Sequence, residues 1–185
     1  WFSAVLKRDM DNGFTGSQAF ERQFPVFLSL IKKAQFKQVE DDSIEVINSL
    51  KKLNNVETLA LTARSEPLID DTFNLLSKKN VLSTLSDLAE SRVVLIDTNQ
   101  NSKAFYNKGT VHCANNSKGL CLKKFIEMFE EQKTELKEIE EIILIDDKEK
   151  NLQDVEDAFK NSGIKFTGLR FSYLDEKVKS FVLSD

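Results

Sequence analysis

Ile142-Ile143-Leu144-Ile145-Asp146-Asp147 is a short apolar run that stops at two adjacent carboxylates and leads into a helix-like segment near 149–161. Four consecutive apolar residues fit a strand buried on both faces of a parallel sheet. Open α/β sheets bind their ligands beyond the C-terminal ends of the strands. Asp146 and Asp147 would therefore face a crevice and offer oxygen ligands to a metal ion. The plain alternative is a strand-to-helix turn in which one aspartate caps the helix and the other is solvated.

The segments on either side repeat the same alternation. On the N-terminal side, Val56 to Leu61 reads as a strand running into Thr62-Ala63-Arg64-Ser65, and Pro67 suits the opening of a helix through Leu76. Val93 to Ile96 is another apolar run ending in Asp97, and Thr110 to Cys113 a further short strand before Asn115-Asn116-Ser117-Lys118-Gly119. Leu120 to Lys137 reads as a charged amphipathic helix, and beyond the opening stretch Ser162-Gly163 stops a helix before a last strand, Ile164 to Phe171. Strands separated by helices argue for a parallel sheet covered on both faces.

The front portion reads differently. Trp1 to Lys7 and Ala19 to Lys33 are helical in pattern, separated by a loop at Asp11-Asn12-Gly13 and Gly16. A short helix from about 42 to 53 follows, with Ile44, Val46, Ile47 and Leu50 on one face. Phe20, Phe24 and Phe27 recur at helical spacing, a packing stripe rather than a ligand cage.

Composition bounds the possibilities. At 185 residues, 41% hydrophobic and 30% charged, the chain suits a single soluble domain with a substantial core. No apolar run approaches the roughly 20 residues of a membrane-spanning helix. A net charge of −4, dispersed along the chain, leaves no electrostatic footprint for nucleic acid. Cys113 and Cys121 are too few for a disulfide framework, although eight residues apart they could be neighbours. They read as free thiols, a redox or metal role being the lesser alternative. His112 is the only histidine, which excludes any site needing two imidazoles and favours a structural or surface place for it. The chain opens on Trp1 without a signal-peptide pattern, so the natural N-terminus is expected upstream, and the compartment, cytoplasmic or secreted, is not legible.

Three polar stations fall at or just beyond strand ends: Thr62, Lys118 and the Asp146/Asp147 pair. A hydroxyl with a neighbouring backbone N–H can hold a phosphoryl oxygen, a lysine can neutralise phosphate charge, and adjacent carboxylates can hold magnesium. Each has a plain alternative, Thr62 as a strand end or helix cap and Lys118 as a solvated loop lysine. Together they describe a phosphate-plus-metal pocket.

Leu61-Thr62-Ala63-Arg64, Asn116-Ser117-Lys118-Gly119 and Ile145-Asp146-Asp147-Lys148-Glu149-Lys150-Asn151 resemble the second, third and fourth motifs of the haloacid dehalogenase (HAD) superfamily. The likeness spans about residues 44 to 171. It looks closest to a bacterial branch described as a domain of unknown function, in which a Trp-Phe pair follows the first motif, as Trp1-Phe2 would here. The resemblance implies an α/β, Rossmann-like three-layer sandwich with a parallel sheet, residues 41–185 forming the core and residues 1–40 a small helical cap. It implies a magnesium-dependent phosphohydrolase acting on a small phosphorylated molecule through an aspartyl-phosphate. Thr62 and Ala63 would bind the transferring phosphoryl group, Lys118 would stabilise its charge and the nucleophile, and Asp146 and Asp147 would hold Mg2+. Asn151 would support those carboxylates from the following helix, and Arg64 and Ser65 could line the pocket mouth.

One part of the pattern is missing. The family's first motif is an apolar strand ending in Asp-x-Asp-x-Thr, whose first aspartate is the nucleophile and second the general acid/base. Asp9-Met10-Asp11-Asn12-Gly13 has the Asp-x-Asp spacing, but Lys7 and Arg8 stand where a buried strand should end and Gly13 replaces the hydroxyl residue. A helix end and turn is the better reading. In the family that strand lies between those carrying the second and fourth motifs, so its loss would leave two unpaired edges inside the sheet. The expectation is a nucleophile upstream of Trp1. The alternative function is a non-catalytic HAD-like binding or effector module. A receiver-like phosphoacceptor domain fits poorly, because its acidic pair comes early in the chain and this one comes late.

Overall fold

The computed structural model describes residues 1–34, 40–89, 91–97, 103–131 and 139–183. In chain order the helices are α1 (Phe2–Asp11), α2 (Gly16–Lys33), α3 (Ser43–Lys51), α4 (Ile69–Lys78), α5 (Lys118–Glu131), α6 (Glu149–Phe159) and α7 (Asp175–Lys179). The strands are β1 (Ala60–Thr62), β2 (Val93–Ile96), β3 (Ala104–Asn107), β4 (Thr110–His112), β5 (Glu141–Asp146) and β6 (Lys165–Arg170). The protein is mixed α/β. Residues 1–37 with 172–185 form one compact unit, and residues 38–171 a second.

In the first unit, α1 and α2 pack as an antiparallel-type helical pair whose entry is set locally. Thr15 accepts the Gln18 N–H while the Gln18 side chain accepts the Thr15 N–H, a reciprocal cap that satisfies two of α2's orphan donors. Val5 and Ala19 are buried, and the Phe2 ring lies 4.6 Å from Phe27 and 5.9 Å from Phe20. The aromatic stripe is packing, as its spacing suggests, though Phe20 stays exposed. Asp9 lies inside α1, buried, and accepts a 2.7 Å hydrogen bond from the Gln23 amide of α2. It is a helix-pairing carboxylate and does not end a strand.

In the second unit, β1, β4, β3 and β2 form one sheet in that order, and β5 and β6 a separate parallel pair. The four-stranded sheet is mixed rather than wholly parallel: β1 runs parallel to β4, but β4–β3 and β3–β2 are antiparallel. Its antiparallel part follows from a tight hairpin at Lys108 and Gly109, both with positive φ, 46° and 76°. β3 was not legible as a strand in the sequence. β1 is also shorter than the 56–61 run suggests. α5 begins at Lys118 rather than Leu120, and the end expected for it, 132–137, lies outside the described residues.

The core lies between the four-stranded sheet and α5. Tyr106 of β3 packs against Phe125 and Phe129, with ring centroids 4.9 and 5.5 Å away. Its hydroxyl accepts the N–H groups of Leu88 and Gly109 and donates to the Ser86 carbonyl, so one buried phenol ties the 86–88 loop to the hairpin turn. Leu152, Val155 and Phe159 give α6 its buried face. α5 and α6 approach closely at Gly119, where a Cβ would meet the Asp154 carbonyl oxygen at 2.0 Å.

Two expectations about apolar faces need correction. β5 is not buried on both faces: Ile142 and Leu144 pack on the core, whereas Ile143 and Ile145 are 61% and 65% exposed. Successive side chains of a strand point to opposite faces, and only one face meets the helical layer. Along α3, Ile44 and Ile47 are half-buried but Val46 and Leu50 are exposed. Each of β1 and β5 pairs on one side only, with β4 and β6 respectively, so among the described residues each is an edge strand. No helix among these residues is long and apolar enough to cross a membrane.

Candidate functional site

Asp146 ends β5 and points inward; Asp147, the next residue, alternates to the outside. Asp146 is 8% exposed, whereas Asp147 is exposed to solvent. The Asp146 Oδ1 accepts the Lys148 N–H at 2.9 Å and the Asn151 amide at 2.8 Å, while Oδ2 accepts a hydrogen bond from the Lys118 ammonium. The bond to Lys148 is an Asx-type turn that bends the chain from β5 into α6. That places Asn151, in the first turn of α6, beneath the carboxylate. Asp146 thus shapes the turn, and it does so while ion-paired.

Lys118 is as buried as its partner, 9% exposed, and is placed by an uncommon turn. Ala114 and Asn115 both take positive φ, 48° and 70°, and the Asn116 N–H closes back on the Cys113 carbonyl at 2.9 Å. Asparagine tolerates that conformation; alanine pays a steric penalty there of about 1 kcal/mol or more. Ser117 then accepts the Leu120 N–H and starts α5, so that Lys118 occupies its first position and reaches Asp146.

Burial acts first on Asp146, pushing its carboxyl up, but the Lys118 ammonium, the Lys148 N–H and the Asn151 amide outweigh it and hold the group below the ordinary carboxylate value. The carboxylate is charged at neutral pH. The hydrogen bonds that satisfy both carboxylate oxygens offset part of the desolvation cost of burying this pair.

Thr62 ends β1, half-buried, beside His112 of β4 in the parallel register. Its carbonyl accepts the Cys113 N–H at 2.7 Å, and its hydroxyl accepts the Arg64 N–H at 3.3 Å. The chain leading to Lys118 is therefore anchored on the residue that carries the hydroxyl. Ala63 is exposed; Arg64 is half-buried and donates to the Thr72 hydroxyl of α4 at 3.1 Å. Burial lowers Arg64, opposed by the nearby Asp71 charge. The structure thus joins Lys118, Asp146 and Asn151 directly, ties Thr62 to their loop through the backbone, and turns Arg64 toward α4.

His112, read from the sequence as a structural or surface histidine, is fully buried in the sheet, its ring 5.9 Å from that of Phe73. Burial, reinforced by the Arg92 and Arg64 charges, pushes its pKa down to about 4, so the imidazole is neutral at pH 7. Sequence reasoning missed that it neighbours Thr62 across the sheet, and also missed Gly119, whose need is steric and lies in a different helix. A surface depression of about 570 Å³ between α5 and α6 is lined by Ser117, Lys123 and Asp154 but not by Thr62, Asp146 or Asp147.

The architecture and the buried lysine–aspartate pair define a mixed α/β protein with a charged cluster at the ends of its strands. The family described as a protein of unknown function, DUF2608, matches residues 1–184, and the chain belongs to it. No curated protein and no solved structure matches the chain.

Proposed function

We propose that this chain belongs to a HAD-type phosphohydrolase acting on a small phosphorylated substrate. The observation that carries the reading is the Lys118–Asp146 pair, buried at the C-terminal end of β5, braced by Asn151 and flanked by the exposed carboxylate of Asp147. A buried ammonium at a strand end can neutralise phosphoryl charge, and the Thr62 hydroxyl with the N–H groups that follow it can hold a phosphoryl oxygen. The two edge strands, β1 carrying Thr62 and β5 carrying Asp146, support the HAD arrangement, in which a strand bearing the nucleophile lies between them.

Asp147, exposed, would offer magnesium a hard oxygen ligand, and Asp146, which points to the other side, would join it only through a lone pair that its present hydrogen bonds leave, with substrate phosphate and water completing the shell. Among the described residues no third His, Cys, Asp or Glu joins such a group, so the ion would be held jointly with the substrate's phosphate. When bound, it supplies charge neutralisation for the phosphoryl oxygens. Lys118 then holds Asp146 in orientation and lends the second positive charge, and Asn151 fixes the carboxylate's rotation. Asp9, held inside α1 by its bond to Gln23, is not the nucleophile in this reading.

The test is turnover of a panel of phosphomonoesters by the full-length protein, with magnesium and with a chelator. Magnesium-dependent release of phosphate that is lost in Asp147→Asn supports the reading. No turnover across the panel, or full activity in Asp147→Asn, overturns it. A second reading, a HAD-like binding or effector module without catalysis, is favoured by the helical setting of Asp9, and saturable phosphate-ester binding without turnover would select it.

A further inference from the structure

Asn12-Gly13 is the one Asn-Gly step in the sequence, and the fold leaves it at the surface, in the turn between α1 and α2. Residues 10–18 are all exposed, and among the described residues the Asn12 carboxamide has no hydrogen-bond partner. Gly13 takes φ +92°, and apart from its chain neighbours no atom lies within 4 Å of where its Cβ would stand, so the turn is open on that side. Main-chain bonds at the end of α1 hold the step: the Gly13 N–H donates to the Met10 carbonyl at 3.0 Å and the Phe14 N–H to the Asp9 carbonyl at 3.2 Å. Such bonds at a helix end open far more readily than those inside it.

We infer that Asn12 is a site of spontaneous covalent modification, where it loses its amide through a succinimide with Gly13 and becomes aspartate or isoaspartate. Glycine is what admits the ring. With no Cβ it reaches backbone conformations closed to other residues, and no side chain stands between its nitrogen and the Asn12 carboxamide carbon. The other described asparagines that precede a small residue lack this combination. Asn48, ahead of Ser49, lies inside α3, and Asn116, ahead of Ser117, donates its amide to the Cys113 carbonyl at 2.8 Å. Asn161 is exposed, but Ser162 follows it, with both its N–H and its hydroxyl bonded to the Phe159 carbonyl.

The Gly13 nitrogen gives up its proton and attacks the Asn12 Cγ, the bond from Cγ to the amide nitrogen breaks, and ammonia leaves with that proton. Water then opens the five-membered ring. Opening at Cγ restores the main chain with aspartate at position 12; opening at the main-chain carbonyl leaves the chain running through the side chain, as isoaspartate. One amide and one water become one carboxylate and one ammonium, and nothing is oxidised or reduced. Either product adds a negative charge at the C-terminal end of α1, beside Asp9 and Asp11, where the helix dipole disfavours it. The isoaspartyl form also puts an extra methylene into the chain, so the Gly13 and Phe14 N–H groups cannot both keep their carbonyls. Phe14 carries the Arg22 guanidinium of α2 over its ring at 5.0 Å, so the change loosens the entry into α2. The inference stands apart from the phosphohydrolase reading, since its readout is covalent.

The test ages the native full-length protein at mildly alkaline pH and compares its tryptic peptides with those of an unaged sample. Peptide 9–22 carries Asn12, 109–118 carries Asn115 and Asn116, and 161–165 carries Asn161. The expected result is that 9–22 gains first the mass difference between a hydroxyl and an amino group, and separates into two products, one of which accepts a methyl group from isoaspartyl methyltransferase. Asn12→Gln, whose longer side chain closes the ring poorly, should abolish the gain. Hydrogen exchange at Gly13 and Phe14 should quicken more in the isoaspartyl protein than in Asn12→Asp, which carries the charge without the altered chain. No gain in 9–22, a gain that persists in Asn12→Gln, a gain no faster than in the other two peptides, or one that needs urea-unfolded protein would each overturn the inference.

Discussion

Two aspartates among the described residues are buried, and they teach different things. Asp9, in the first unit, and Asp146, in the second, are 3% and 8% exposed, and each accepts a hydrogen bond from a side-chain amide, Gln23 and Asn151 respectively. Each also has cations nearby. For Asp9 these are Arg8 and Arg22, at 3.8 and 3.7 Å and half-exposed themselves; for Asp146 the cation is Lys118, buried with it. Asp9 sits in the last turn of α1, where it faces α2 through its bond to Gln23. Asp146 ends a strand, where the chain turns and an exposed carboxylate follows. Burial and pairing alone do not make a site; placement at a strand end, shared with a lysine from another element, is what sets the second apart.

The sharpest way to break this comparison is to make the same substitution at both places. Asp146→Asn keeps the shape but leaves the Lys118 ammonium buried without a counter-charge, and should cost about 3–5 kcal/mol of unfolding free energy in urea melts. Lys118→Met in the same chain should restore much of that loss, because the uncompensated charge goes with it. Gly119→Ala comes next. Its new methyl would strike the Asp154 backbone, which cannot swing aside, so α5 must shift from α6 at a cost of about 1–3 kcal/mol. The shift should also loosen Lys118, one residue away, and weaken any phosphate binding beyond what the stability loss explains.

These consequences were unevenly legible. The turn at Asp146 and the helix after it could be read because apolar run, carboxylates and Asn151 are all local. Thr62 and Lys118 could be placed near strand ends for the same reason. What the sequence hid was non-local or degenerate. Ile143 and Ile145 look like core, yet the same letters serve a strand covered on one face only. β3 begins among polar residues, and its partner is identified only by the hairpin at Lys108-Gly109. Ala114 masks the first left-handed residue of a turn that Asn115 alone hints at, and with it the reversal of the chain into α5. Gly119 reads as a weak helix residue until α6 lies against it.

Acid should act on the second unit through His112. Its folded pKa of about 4 lies below the ordinary 6.5, so between those values the unfolded chain binds the proton and the native imidazole does not. Stability is therefore full above pH 6.5 and is lost as pH falls toward 4, by up to about 1.4 kcal/mol per pH unit. His112→Phe should flatten the curve in that window, leaving Asp146 to contribute its own loss at lower pH as its depressed carboxyl is protonated. An unchanged slope in His112→Phe would remove His112 as the cause. Asp9→Asn, by contrast, should cost no more than about 1 kcal/mol, since the Gln23 contact can be kept and half-exposed arginines repay little. A loss equal to that of Asp146→Asn would dissolve the distinction between the two aspartates.

The smallest effect on stability is the most informative about function. Asp147 is exposed, so Asp147→Asn should move the unfolding free energy by less than about 0.5 kcal/mol, as surface substitutions usually do. If Asp146 and Asp147 act together on a phosphorylated ligand, the same change should lower magnesium-dependent phosphate release in the full-length protein by at least about 100-fold, or about 2.7 kcal/mol of transition-state stabilisation. Stability and chemistry would then separate across adjacent residues, Asp146 needed for both and Asp147 for chemistry alone. An Asp147→Asn protein as active as the parent would leave Asp146 in the same class as Asp9, a carboxylate that holds two elements of the fold together.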